Sequence, residues 1–250
     1  MAEFKLPTEV VELPSKGLIY PKDNPLSSGK IEMKYMTAKE EDILTNQNYI
    51  KQGTVLDKLL QSLIVSEVNY NDLVTGDKNA LLVAARVLGY GKDYSFQYVD
   101  SNGDNVETSV DLSEIEDKFL DPSHLATKGV NEFSFTLPHS ENEVTFKILT
   151  HGDEKAIDKE VAGMKKINGG VAPEASTRLK HLITSVGGDR EKKSIREFVD
   201  KYMLARDSRA LREEYRRVAP DVELTFYPEG AEEGIPIPIT LSFFWPDAGV

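Results

Sequence analysis

The chain has 250 residues, 40% of them hydrophobic and 29% charged, with a formal net charge of −12 and no cysteine. That composition suits one large or two ordinary globular domains and excludes disulfides, thiol catalysis and cysteine-ligated zinc. The acidic balance argues against general nucleic-acid affinity, and no run approaches the ~18 apolar residues of a membrane span.

Residues 1–16 mix polar, apolar and proline residues without the apolar core of a signal peptide, so a cytosolic chain is expected. Four prolines in residues 1–25 rule out a long helix there and predict an arm, with a turn and a short strand around Leu18-Ile19-Tyr20. Alternation predicts a strand over 31–36, and 3.6-residue periodicity predicts helices over 38–49, 55–68 and 79–88. Gly89-Tyr90-Gly91 ends the third helix. Tyr94, Phe96 and Tyr98, a turn at Asn102-Gly103, and a return over 106–110 predict a β-hairpin. A short acidic helix is expected over 111–120, and 123–129 reads as a linker.

The second half opens with a hairpin (Phe133, Phe135 and Leu137, then 144–148), followed by helices over 152–164 and 176–186. The longest helical stretch is 194–218, with apolar residues from Ile195 to Val218 near helical spacing. A last hairpin runs from Leu224 and Phe226 to 235–241, where Pro236 and Pro238 mark an edge strand.

One stretch occurs twice. Residues 31–44, IEMKYMTAKEEDIL, align with 144–157, VTFKILTHGDEKAI, with identities at Lys34/Lys147, Thr37/Thr150 and Glu41/Glu154. Both read as a strand entering a helix through a capping box, Thr37 with Glu40 and Thr150 with Asp153. Downstream, Asp77-x-x-Ala80-Leu81-x-x-x-x-Arg86 answers Asp207-x-x-Ala210-Leu211-x-x-x-x-Arg216. The expected fold is α+β, with two similar tandem halves at 26–122 and 130–250. Each half is a hairpin or strand, then a helical hairpin, then a closing β-hairpin. Two amphipathic helical hairpins of similar composition would give the same letters without duplication.

Catalytic, metal and cofactor sites find no support, and none is expected. Asp100, Asn102 and Asp104 have calcium-loop spacing, but Asn105 and Asp111 stand where glycine and a bidentate glutamate are needed. The four histidines are scattered, and no phosphate loop or nucleophile elbow is present. Arg206, Arg209, Arg212 and Arg216 put four guanidiniums on one helix face. Such a run is usually a solvated face, and Asp207, Glu213 and Glu214 can neutralise part of it. The alternative is a surface that docks an acidic partner, or a nucleic acid in an accessory protein. Residues 190–217 hold ten Lys/Arg against six Asp/Glu, locally +4. Phe243, Phe244 and Trp245 are either covered on both sides of a strand or contribute an anchor for a partner.

Several stretches together resemble a family: Leu13-Pro14-Ser15-Lys16-Gly17-Leu18-Ile19-Tyr20-Pro21, residues 36–46, residues 205–212, and Phe243-Phe244-Trp245-Pro246. The chain is similar to the baseplate hub assembly proteins of T-even-like contractile-tailed bacteriophages. The resemblance implies a non-catalytic assembly chaperone or minor hub subunit acting in the host cytoplasm or the virion tail baseplate. Its implied partners are other hub or tail proteins, with the tape measure protein among the candidates. The resemblance also implies a zinc-ribbon-like feature, since many members of that family carry Cys-x-x-Cys pairs in the two hairpins. This chain has none, so no metal carries over and Tyr94, Tyr98 and apolar neighbours must hold the hairpins.

Overall fold

The computed structural model describes residues 6–100, 103–167, 169–230 and 233–244. It is an α+β fold of small antiparallel sheets and helices around one continuous core.

Strand β1 (Thr8–Glu12) pairs antiparallel with β2 (Lys30–Lys34), setting Val11 beside Ile31. The arm between them is a series of turns and not the expected strand, with Leu18 N–H bonded to Ser15 O and Tyr20 N–H to Gly17 O. The expected helix over 38–49 is two, α1 (Ala38–Leu44) and α2 (Gln47–Lys51). Asn46 breaks them because its side chain accepts the N–H groups of Asn48 and Tyr49, the typical bond of an N-cap. Helix α3 (Val55–Leu63) stops short of 68 because the next residues pair with β2. Ile64 bridges Met33, and Val65 N–H bonds Glu32 O at 2.9 Å. Helix α4 (Thr75–Tyr90) begins four residues earlier than its periodicity predicts.

Strands β3 (Asp93–Val99) and β4 (Asn105–Asp111) form the expected hairpin. The acidic helix expected over 111–120 does not form. Leu112 N–H bonds Lys92 O and Leu120 N–H bonds Pro14 O. Between these bonds, β5 (Asp117–Lys118) pairs with β9 (Asp221–Val222). Long-range partners outweigh the weak local propensity of this acidic segment.

In the second half β6 (Phe133–Thr136), β7 (Glu143–Phe146) and β8 (Ile183–Val186) make a three-stranded sheet. The run over 176–186 is therefore divided, because α6 (Glu174–Leu182) yields to the β-branched start of β8. It follows α5 (His151–Ile167). The long helix over 194–218 is also two, α7 (Lys192–Lys201) and α8 (Ala205–Val218). Tyr202 and Met203 both donate to Phe198 O, and Leu204 is extended, which closes one helix and starts the next. The last hairpin shrinks to β10 (Thr225–Phe226) and β11 (Ile235–Pro236), and the chain then turns into α9 (Leu241–Phe244).

The aligned stretches superimpose in their chemistry. Glu40 accepts Thr37 N–H at 3.0 Å, Thr37 Oγ1 at 2.6 Å and Lys34 Nζ at 2.9 Å. Asp153 accepts Thr150 N–H at 3.1 Å, Thr150 Oγ1 at 3.0 Å and Lys147 Nζ at 2.7 Å. A second correspondence joins Leu13-Pro14-Ser15-Lys16 to Leu137-Pro138-His139-Ser140-Glu141. Asp77, at the third position of α4, accepts Ser15 N–H at 2.9 Å, Ser15 Oγ at 2.7 Å and Tyr20 OH at 2.6 Å. Asp207, at the third position of α8, accepts the N–H groups of His139 and Ser140 at 2.9 and 3.0 Å. Both aspartates are fully buried. Lys16 and Glu141, at the ends of these two loop segments, the second one residue longer, adopt left-handed backbone, φ 51° and 57°. That conformation costs about 1–2 kcal/mol, which the carboxylate bonds of each loop help to offset.

The halves are stitched together. His151 N–H bonds Leu73 O at 2.7 Å, and Val74 bridges Thr150. Asp57 gathers Tyr70 OH at 2.9 Å, Lys78 Nζ at 2.8 Å and His151 Nε2 at 3.7 Å. Gly76 lies so close to Pro220 that a Cβ there would stand 1.9 Å from its carbonyl oxygen.

The carboxylates titrate in opposite senses. Burial pushes Glu40 up, but hydrogen bonds from Ser62, Thr37 and Lys34 outweigh it and hold the group at about 2. Its stabilisation is full above 4.5 and is lost as pH falls toward about 2. Burial carries Asp77 up to about 6 against the bonds from Tyr20 and Ser15, so its share is largest below 3.8 and is lost as pH rises through about 6. Urea midpoints across pH should therefore show Asp77→Asn flattening the decline between 3.8 and 6. Glu40→Gln should lower stability near neutrality by about 2 kcal/mol and weaken the acid-side loss. Unchanged profiles in both variants would contradict these assignments.

Candidate partner-binding surface

Helix α8 is anchored by Asp207 at its start and by Leu211 and Val218 along its buried face. At about 100° per residue, Arg206, Arg209, Arg212 and Arg216 fall within about 120° of arc on the opposite side. All four are exposed. Asp207 points inward and takes no part in neutralising them. Arg209 pairs with Glu213 at 2.8 Å, whereas Glu214 is occupied by Arg217. Arg212 Nε donates only to its own helix, to Ser208 O at 3.2 Å. Arg206 and Arg216 have no side-chain hydrogen bond or ion pair among the described residues. Three of the four guanidiniums thus keep their charge uncompensated by a carboxylate.

The helix is flanked by two clefts. One, of about 380 Å³, lies between α6 and α8 and is lined by Leu149, Leu179, Leu182, Tyr215, Arg178 and Arg212. The other, of about 580 Å³, is lined by Tyr215, Arg216, Val222, Leu224, Ile237 and Ile239, with Glu223 also on its wall. Tyr215 belongs to both and divides them. Leu149 N–H donates to its hydroxyl at 3.4 Å, and burial pushes that hydroxyl up to about 12. Arg178 is already bidentate to Glu154, at 2.6 and 2.7 Å, which leaves Arg212 as the free cation of the first cleft. Sequence periodicity marked Tyr215 only as one of a series of apolar positions. Its place between two clefts depends on how α6 and the C-terminal hairpin pack.

Phe243 and Phe244 are core residues, fully buried in α9, so their rings present nothing to a partner. The segment is a helical turn and not a strand, which lets adjacent aromatics both face inward. Phe243 packs on Tyr94 with ring centroids 4.8 Å apart, and Phe243 O accepts Arg86 Nε at 2.9 Å. Trp245 lies outside the described residues. Arg86 itself is buried, donating also to Gly91 O at 2.6 Å and Asp93 O at 3.0 Å. Its sequence counterpart, Arg216, is exposed.

The two closing hairpins hold each other through aromatic contacts. Phe226 meets Phe96 at 5.5 Å and Tyr98 at 5.4 Å, and Phe96 stacks on Tyr94 at 5.7 Å. Among the described residues no cluster of three or more His, Cys, Asp or Glu could hold a metal, and no helix is long and apolar enough to cross a membrane.

The family model described as T4 bacteriophage base plate protein matches residues 8–144, more than half of the 250-residue chain. The chain belongs to that family. Its role accordingly lies in the structure or assembly of the phage tail baseplate, among other baseplate proteins. No curated protein and no solved structure matches it. The matched segment of this baseplate protein runs from β1 through the β3–β4 hairpin to β6 and ends within β7. Helix α8 lies beyond it.

Core and surface roles separate cleanly by stability. Phe243→Ala should cost about 3–5 kcal/mol in chemical denaturation. Replacing Arg206, Arg209, Arg212 and Arg216 with Gln should change stability by no more than about 0.5 kcal/mol per site. The reverse order would move the aromatic pair out of the core.

Proposed function

We propose that this baseplate protein is a non-enzymatic binding factor for the central hub, acting as an assembly chaperone or as a minor hub subunit. The family match over residues 8–144 is the observation that carries this reading. Candidate partners are other hub proteins, with the tape measure protein among them. The uncompensated arginines of α8 support it, because a locally basic strip on a chain of net charge −12 is positioned to meet an acidic surface. The matched carboxylate bonds of Glu40 and Asp153, and of Asp77 and Asp207, are what an internal duplication of one α+β unit would leave.

The test is affinity purification from phage-infected cells, with purified mature particles assayed for this chain. Hub proteins recovered with the chain absent from particles would identify a chaperone. Fixed stoichiometry in particles would identify a subunit. No baseplate partner would refute the reading. Retention on heparin or DNA that falls steeply with salt would instead favour a nucleic-acid accessory role for the arginine strip.

A further inference from the structure

We propose that the ridge of α8 formed by Arg212, Tyr215 and Arg216 is the docking site itself, and that its occupant is an acidic, apolar-flanked segment of another baseplate protein. The inference rests on the binding-factor reading above and adds the place and the chemistry. Tyr215 stands between the two clefts, and the free guanidiniums of Arg212 and Arg216 border one cleft each. Leu179 and Leu182 line the first cleft, and Leu224, Ile237 and Ile239 the second, so each can receive an apolar side chain. Arginine forks bind carboxylates in bidentate fashion, and a half-buried tyrosine between exposed arginines and apolar depressions has the residue types of an interface hot spot.

A fitting segment therefore carries two apolar side chains separated by one or two carboxylates. The carboxylates lie over Arg212 and Arg216, and the apolar groups enter the clefts on either side of Tyr215. Arg209 is held by Glu213 and contributes less, and Arg206 lies beyond both clefts. Glu174 on the wall of the first cleft, already paired with Lys165, and Asp221 and Glu223 on the wall of the second disfavour carboxylates beyond the two arginines and confine the acidic stretch to Arg212 and Arg216.

The experiment uses the full chain and an array of overlapping peptides covering the other baseplate proteins of the same phage. Bound peptides should share the apolar–acidic–apolar pattern, and changing their carboxylates to amides should abolish binding. Arg212→Glu with Arg216→Glu should weaken the best peptide by at least about tenfold, with Lys51→Gln, at the exposed end of α2 outside the arginine strip, having little effect. Circular dichroism and thermal unfolding would confirm that the variants fold, and Arg212→Gln with Arg216→Gln provides a milder pair if charge reversal disturbs them. Equal binding by the folded double variants to a baseplate protein that the native chain captures would overturn this site and leave the binding-factor reading intact. Failure of the native chain to capture any baseplate protein or peptide would overturn both. Binding of a short DNA duplex that depends on the same two arginines, without peptide binding, would assign the ridge to nucleic acid and also refute the proposal.

Discussion

A carboxylate buried at the start of a helix is the constraint on which each half of this baseplate protein depends. Asp77 and Asp207 sit at the third position of their helices and receive hydrogen bonds from a loop that leaves a leading strand. A buried anion is expensive unless donors surround it, so each aspartate holds its loop in one conformation. The loop in turn sets where the strand before it runs: β6 puts Phe133 into the core, whereas β1 stays largely exposed and only half-buries Val11. Glu40 and Asp153 do the same at the entries to α1 and α5, where a lysine from β2 and Lys147 just after β7 complete the sets of donors. Strand, loop and helix are thus held by carboxyl hydrogen bonds, which outweigh the cost of burial at Glu40, Asp153 and Asp207 but not at Asp77.

The arginines that follow the two buried aspartates face different surroundings. Arg86, nine residues after Asp77, is drawn inward to satisfy three carbonyl oxygens and to hold the C-terminal turn. Arg216, nine residues after Asp207, stays in solvent beside a cleft. A buried guanidinium specifies a structure, and an exposed unpaired one is available to a partner. Phe226 joins the two closing hairpins by packing on Phe96 and Tyr98, so apolar contacts hold them in a chain without cysteine.

By itself the sequence determined the α+β class, the two strand-to-helix units with their capping acids, the hairpins over 93–111 and 133–146, the arginine face of α8 and the baseplate family. Each of these rests on local chemistry, on side-chain periodicity or on a short motif. Where neighbours in space compete with local preference, the periodicity pointed to helices that the structure cuts short, divides or does not form. Ile64 and Ile183 leave helical runs because strands β2 and β7 await them, the acidic segment 111–120 stays unwound because Asp117 and Lys118 pair with residues a hundred positions away, and Tyr202–Leu204 breaks one long periodic stretch into two. The inward turn of Asp207, the burial of Phe243 and Phe244, and the position of Tyr215 between two clefts were likewise decided only by the tertiary structure. A side chain's periodicity tells which face it shares, but what lies opposite that face is set by segments far away in the chain.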